Sequence, residues 1–140
     1  MEPERIFADT NLFLRYLTND VPAQADAVEH LLHRASDGEI VLVINGLVIA
    51  EIVWTLESYY GLSRNSIKAK VLAILNTPGL EAVEGDLLLE AIFWFADKNI
   101  DFIDAYNAAW MFAEGLETTY TFDRKHFSRI EGIRVQVPGE

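Results

Sequence analysis

Residues 5–13, RIFADTNLF, decide the fold of this chain. Residues 6–8 are a short apolar run that predicts a buried strand, and the three polar residues after it are typical of a helix start. Asp9 therefore lies where a strand ends. In an open α/β sheet, ligands bind in the crevice beyond the carboxyl ends of the strands, so Asp9 is expected at the binding edge. The alternative is that Asp9 serves only as the N-cap of the following helix.

The composition predicts one globular domain that spans residues 1–140. The chain has 140 residues, of which 51% are hydrophobic and 24% are charged, which is enough apolar material for a core. It has no cysteine, which excludes disulfides, thiolate metal sites and a cysteine nucleophile. No apolar run approaches the roughly 18 residues that a membrane span needs, and the first residues do not have the pattern of an export signal. We therefore expect a cytoplasmic protein that does not enter a membrane.

The net charge of −11 restricts the partners of the protein. A protein that binds nucleic acid mainly by neutralising phosphates is usually basic, so the charge argues against a passive nucleic-acid-binding module. The charge is compatible with a metal-dependent enzyme, because acidic residues hold the cations that then meet a phosphate. It is also compatible with a basic partner protein.

Strand and helix patterns alternate along the chain. After the first strand, residues 40–44 are a run of Val, Leu and Ile that is typical of a buried parallel strand. Further strands are predicted at 80–83, 118–122 and 132–137, and helices at 12–18, 22–36, 47–58, 64–75, 86–98 and 104–114. This alternation predicts an α/β fold with a central, mostly parallel sheet of about four to five strands and helices on both faces.

Glu51 is the only charged residue among residues 47–54. A helix that is so apolar is expected to be largely buried, and a buried Glu51 would have to be paired, protonated or bound to a cation. The alternative is that Glu51 lies on a narrow exposed stripe of an otherwise buried helix.

Three more acidic residues lie at the ends of predicted elements. Asp104 is the only charge between residues 102 and 113 and begins a helix, where it could simply complement the helix dipole. Asp101 competes with it for any functional role, since Asp101 could be the N-cap and Asp104 the third residue of a capping arrangement. Asp123 follows the strand at 118–122 directly, which repeats the arrangement of Asp9.

In a parallel α/β sheet, Asp9, Glu51, Asp104 and Asp123 can converge at one end. Four neighbouring carboxylates repel each other, and without a cation some of them would take up protons. Oxygen ligands at this density are what Mg²⁺ or Mn²⁺ requires.

Six segments, in chain order, resemble the PIN-domain family, and more narrowly the VapC-type toxin ribonucleases of bacterial and archaeal toxin–antitoxin pairs. They are FADTN at 7–11, LRYL at 14–17, PAQA at 22–25, LVIAEIVWTL at 47–56, DFIDA at 101–105 and TFD at 121–123. The resemblance covers almost the whole chain and implies a single PIN-like domain.

The resemblance also implies the site and its chemistry. The family acids fall on Asp9, Glu51, Asp104 and Asp123, which favours Asp104 over Asp101. These acids would bind Mg²⁺ or Mn²⁺ and hydrolyse RNA phosphodiesters with metal-activated water. Two further residues, Asn11 and Thr121, match family positions that orient the acids without binding the metal themselves.

The resemblance further implies a homodimer and a small antitoxin that blocks the site. The apolar helices that would serve as contact surfaces carry Trp54, Tyr59, Trp94 and Phe95, although most of these aromatic residues are expected in the core. The basic residues that RNA could contact are few, among them Arg5, Arg15, Arg64, Lys68, Lys70, Arg124 and Lys125.

Two other functions compete with the ribonuclease. A haloacid-dehalogenase-like phosphatase also begins with an aspartate at a strand end, but its motif has a second aspartate where this chain has Asn11. A non-catalytic interaction module on the same fold is the other alternative.

The three histidines, His30, His33 and His126, do not form a zinc signature and are interpreted as surface or packing residues.

Overall fold

A computed structural model describes residues 2–140, in which strands and helices alternate as predicted. The strands are β1 (Glu4–Phe7), β2 (Ile40–Ile44), β3 (Leu80–Ala82), β4 (Thr118–Tyr120) and β5 (Arg134–Gln136). The helices are α1 (Thr10–Thr18), α2 (Pro22–Ser36), α3 (Gly46–Ser58), α4 (Arg64–Leu75), α5 (Gly85–Asp97), α6 (Phe102–Ala113) and α7 (Arg124–Phe127). The predicted α/β class is confirmed. Within the described residues, no helix combines the length and apolarity that crossing a membrane requires.

The chain divides into two compact units, one up to Gly85 and one from Asp86 onward. In the N-terminal unit, β1, β2 and β3 form a parallel sheet in that order. In the C-terminal unit, β4 pairs with β5, also in parallel. The prediction of four to five parallel strands is therefore confirmed in number and direction, but the strands lie in two sheets. A strand pattern in the sequence indicates that a strand forms, and does not specify its neighbour.

Local capping fixes where several helices begin. Pro22 occupies the first turn of α2, where its missing N–H leaves no bond unmade. The side chain of Asn45 accepts a hydrogen bond of 3.2 Å from the Val48 amide at the start of α3. Ser63 does the same for the Ser66 amide in α4, also at 3.2 Å. These starts agree with the predicted ones to within one residue. The two capping bonds join residues only three positions apart, so the local sequence specifies them.

Each unit has its own set of buried apolar side chains. In the N-terminal unit the fully buried residues include Ile44, Ile49, Ile52, Leu56 and Ile67. In the C-terminal unit they include Leu88, Ile92, Phe95, Ile100 and Ala105. The helical residues in these sets recur every three or four positions, so the amphipathic pattern in the sequence correctly indicates which helix faces are buried.

The prediction of a buried first strand is wrong. All four residues of β1 are exposed, with Phe7 at 58% exposure, and of the predicted run at 6–8 only Ala8, which follows the strand, is buried. The reason is that β1 lies at the edge of its sheet, with β2 as its one neighbour there. An apolar run of this length has the same appearance at the edge and at the centre of a sheet.

Gly79 and Gly38 form a matched pair for testing the N-terminal unit. Both have φ near +83°, but a Cβ on Gly79 would lie 2.1 Å from the Ala35 carbonyl oxygen, whereas none of the described atoms lies within 4 Å of a Cβ on Gly38. We expect Gly38→Ala to lower the free energy of unfolding by about 1–2 kcal/mol, the cost of left-handed backbone. Gly79→Ala should lower it by more than about 3 kcal/mol, because the clash adds to that cost. Urea denaturation of both variants measures the difference, and equal losses would contradict the close approach of Gly79 to α2.

Candidate active site

Three aspartates surround one imidazole nitrogen in the C-terminal unit. His126 Nδ1 lies 2.9 Å from Asp104 Oδ2, 3.5 Å from Asp101 Oδ2 and 3.8 Å from Asp123 Oδ2. Only the contact with Asp104 has the length of a hydrogen bond. One ligand atom from each of Asp101, Asp104 and His126 lies within 4.8 Å of the others, a spacing that suits a single divalent ion.

The ends of two helices hold these aspartates. Asp101 is at the N-cap position of α6 without a side-chain capping bond, and Asp104 lies in the first turn of the same helix. Asp123 is the N-cap of α7, where its Oδ1 accepts a 3.0 Å hydrogen bond from the Lys125 amide. The Asp123 amide in turn donates to Thr121 Oγ1 at 3.0 Å. Thr121 therefore contacts the backbone of the acid that it was predicted to steady.

His126 is the residue that sequence reasoning missed. The sequence predicts a surface or packing residue; His126 is 9% exposed and belongs to the short helix α7, where the neighbouring Phe127 is also buried. The packing part of that interpretation is correct, but the contacts of the ring nitrogen with carboxylates were not foreseen. A weak signal existed, since His126 follows Asp123 by one helical turn.

The carboxylate of Asp9 does not cap the helix that it precedes. Asp9 occupies the N-cap position of α1 with an extended backbone, and its backbone oxygen accepts a hydrogen bond from the Leu12 amide. Its exposed side chain makes no capping hydrogen bond. The interpretation of Asp9 as an N-cap alone is therefore not supported by the contacts of its side chain, which remains available to bind a ligand.

Glu51 lies on an exposed stripe of α3, which is the second of the two alternatives for this residue. The same stripe carries Leu47 and Trp54, which are 73% and 67% exposed. These residues are four and three positions from Glu51, so all three project from one face of the helix. The carboxylate of Glu51 is thus accessible and has large apolar side chains on both sides.

Asp9 and Glu51 follow two neighbouring strands of one sheet. β1 and β2 are parallel, with Phe7 opposite Val43, so Asp9 and the first turns of α3 follow the same edge of the sheet. The four predicted acids are thus divided between the units, Asp9 and Glu51 in the first and Asp104 and Asp123 in the second. Their union in one site stays a prediction.

A groove of about 440 Å³ lies beside Asp9 between α1 and α2. It is lined by Asp9, Asn11, Leu12, Arg15, Gln24, Ala27 and Val28.

Arg15 Nη1 is 2.9 Å from Asp20 Oδ2. Loss of hydration acts to raise the pKa of Asp20, but hydrogen bonds from Thr18 and Tyr60 and the charge of Arg15 bring that pKa below its ordinary value. Asp20 therefore stays ionised at neutral pH and orients the one arginine in the lining of this groove.

The aromatic residues that were considered for partner contacts differ in exposure. Phe95 is fully buried, as expected of a core residue, whereas Trp94 is half-buried. Trp54 and Tyr59 are largely exposed, so the expectation that most of the four belong to the core is wrong for these two. Trp54 lies on the stripe that carries Glu51, and Tyr59 is the C-cap of the same helix.

Comparison with known proteins relates the chain to a described family. A family model described as PIN domain matches residues 6–133. Comparison with curated proteins gives no match. Among solved structures, the chain is similar to VapBC2 from Rickettsia felis bound to a DNA fragment from their promoter, with 18% identity, a TM-score of 0.38, and coverage of 96% of this chain and 98% of that chain. It is also similar to Mycobacterium tuberculosis VapC20, a sarcin-ricin loop cleaving toxin, with 24% identity, a TM-score of 0.39, and coverage of 88% and 93%.

The family match includes all four predicted acids, from Asp9 to Asp123, and spans nearly the whole described chain. It agrees with the alternating strands and helices and with the parallel strand pairing. The chain belongs to the PIN domain family.

Proposed function

We propose that this protein is a metal-dependent endoribonuclease of the VapC toxin type, which hydrolyses RNA phosphodiester bonds. The observation that carries the proposal is the convergence of Asp101, Asp104 and Asp123 within 3.8 Å of one buried ring nitrogen, in a chain of the PIN family. Carboxylates gathered in this way repel each other unless a cation or a proton compensates their charge. Membership of the PIN family also favours the ribonuclease over the haloacid-dehalogenase-like alternative.

The donor set fits Mg²⁺ or Mn²⁺. Carboxylate oxygens are hard ligands that suit both ions, and the chain has no cysteine that would favour a softer metal. Asp9, Glu51, Asp104 and Asp123 would hold the metal; three of these side chains are exposed and Asp104 is half-buried, so their oxygens are accessible. When bound, such an ion lowers the pKa of water and neutralises charge on the phosphate.

The residues of the chain would position the reacting groups. Asp9, Glu51 and Asp104 would bind the metal or orient the attacking water for in-line displacement, and Asp123 would complete the site. Asn11 and Thr121 would steady these acids, a role supported by the hydrogen bond from the Asp123 amide to Thr121 Oγ1. The expected products have 5′-phosphate and 3′-hydroxyl ends.

Contact with RNA would depend on few basic residues, because the protein carries a net charge of −11. Arg15 is the best supported of them, since it lines the groove that also contains Asp9 and Asn11. Its pairing with Asp20 uses one of several guanidinium donors and leaves others for a phosphate. A bound cation would offset the repulsion between the acids and the RNA backbone.

Two protein partners complete the proposal, a second copy of the chain and a cognate antitoxin in the cytoplasm. The expectation of protein partners is supported by the exposure of Leu47, Trp54 and Tyr59, which leaves apolar surface on and beside the stripe of Glu51. Exposed apolar patches with a polar surround are typical of protein contact sites. An antitoxin that covered this stripe would also cover Glu51, and would thereby block one of the proposed metal ligands.

The first prediction concerns metal binding by the N-terminal acids. Asp9→Asn and Glu51→Gln should weaken Mn²⁺ binding by more than the ~10–100-fold that loss of an outer-shell partner causes. Both variants should also lose the chelator-sensitive cleavage of a mixed RNA pool. Isothermal titration calorimetry and gel analysis measure the two effects, and Asp26→Asn on α2 is a control that removes an exposed acid elsewhere. If Asp9→Asn binds Mn²⁺ and cleaves RNA as well as an active parent, Asp9 is not a ligand and the proposed site is rejected; if the parent neither binds Mn²⁺ nor cleaves RNA, the protein is a non-catalytic interaction module.

A second prediction separates the capping role of Asp123 from its proposed metal role. Asp123→Asn keeps an oxygen that can accept from the Lys125 amide, so its free energy of unfolding should change by less than about 0.5 kcal/mol. Asp123→Ala removes the acceptor and should lower the free energy of unfolding by about 1 kcal/mol. Both variants should bind Mn²⁺ more weakly than the parent. Normal Mn²⁺ affinity in Asp123→Asn would restrict Asp123 to capping α7.

The third prediction tests the toxin activity. Expression of the wild-type chain without an antitoxin should arrest bacterial growth, whereas Asp104→Asn, produced in equal amount, should not. Growth curves with immunoblots for protein level measure this difference. Growth unaffected by both proteins would reject the toxin role while leaving the nuclease to be tested in vitro.

A further inference from the structure

The buried imidazole of His126 contacts Asp104 of the proposed site from the short helix α7. Its Nδ1 lies 2.9 Å from Asp104 Oδ2, and its side chain is 11% exposed. The other two aspartates are farther away, at 3.5 and 3.8 Å, which is too long for a good hydrogen bond. The ring thus selects one oxygen of one carboxylate.

The segment around His126 is held in place by its own contacts. The Asp123 amide donates to Thr121 Oγ1, and the Asp123 side chain accepts from the Lys125 amide at the start of α7. Phe127 and Ile130 anchor the other side of this segment, since both are buried. The position of the imidazole is therefore fixed by α7 and not by its contact with Asp104 alone.

The contact between His126 and Asp104 links α7 to α6 through two residues that are 22 positions apart in sequence. A carboxylate in the first turn of a helix has several rotamers, and a donor on a neighbouring element restricts it to one. Because a carboxylate has two oxygens, a hydrogen bond to Oδ2 leaves Oδ1 available as a ligand atom. Hydrogen bonds of this kind to metal-binding carboxylates orient them and are a large part of metal affinity.

We propose that His126 is a positioning residue for the metal site: it donates Nδ1–H to Asp104 Oδ2 and so holds the other oxygen of Asp104 ready for the ion. This inference rests on the proposed function, because it assumes that Asp104 is a metal ligand. His126 acts through Asp104 and does not itself contact the metal or the RNA.

The test compares two substitutions of His126. His126→Leu removes the donor, whereas His126→Asn keeps an N–H group near the position of Nδ1. Phe127→Leu is the packing control, since it alters a buried side chain on the same turn of α7. Calorimetric titrations with Mn²⁺ and with Mg²⁺ at one pH give the affinities, and thermal denaturation shows that each variant is folded.

We expect His126→Leu to bind both ions about 10–100-fold more weakly, the usual effect of losing a partner of a metal ligand. His126→Asn should recover most of that affinity, and Phe127→Leu should retain the affinity of the parent even if its melting temperature falls. A merely structural role of His126 would lower the melting temperature in His126→Leu and in Phe127→Leu alike, without this division in metal affinity.

Two results would overturn the inference. Equal Mn²⁺ affinity of His126→Leu and Phe127→Leu would mean that the ring only fills space. A loss confined to Mn²⁺, with normal Mg²⁺ affinity, would mean that the imidazole binds the ion directly, because nitrogen ligands favour Mn²⁺ over Mg²⁺. Asp104→Asn distinguishes these failures from failure of the proposed function: if this variant also binds metal normally, Asp104 is not a ligand and the proposed composition of the metal site is rejected.

Discussion

The parallel pairing of β1 with β2 is the interaction on which the N-terminal unit depends. β1 has four residues and all of them are exposed, so it has little stability of its own and is held by its neighbour. The pairing continues one residue beyond β1, where the Ala8 amide donates to the Val43 carbonyl at 3.0 Å. That bond fixes the backbone immediately before Asp9. Parallel direction then brings Asp9 and the start of α3 to the same edge, which antiparallel pairing would have put at opposite edges.

A second constraint, the repulsion between carboxylates, acts in the C-terminal unit. Asp101, Asp104 and Asp123 approach one another because the N-terminal ends of α6 and α7 meet at His126. Helix N-termini carry partial positive charge, and the imidazole offers a donor, so the acids have favourable neighbours even before an ion is considered. An acidic protein can thus gather carboxylates in one place without losing the fold around them.

The surface of α3 joins two parts of the proposed function. Glu51 is exposed, and large apolar side chains accompany it on the same helix face. A metal ligand needs access to solvent and substrate, whereas an apolar stripe favours contact with a protein. Their presence on one face gives a physical reason why a partner protein could regulate catalysis by covering the site, without any change of conformation in the enzyme.

The sequence by itself determined the local structure and the family. The bounds of β2 and the starts of α2 and α4 are as predicted, and the start of α3 is predicted to within one residue. Pro22, Asn45 and Ser63 mark these helix starts because their partners lie within one helical turn. Asp9, Asp104 and Asp123 lie at or near element ends, as predicted. The exposure of β1 and Glu51, the uncapped carboxylate of Asp9, and the contact of His126 with Asp104 were decided only by the tertiary structure. The physical reason is distance along the chain: a cap is formed by atoms three residues apart, whereas the neighbours of an edge strand, a helix face or a buried ring come from segments tens of residues away, and no local pattern specifies them.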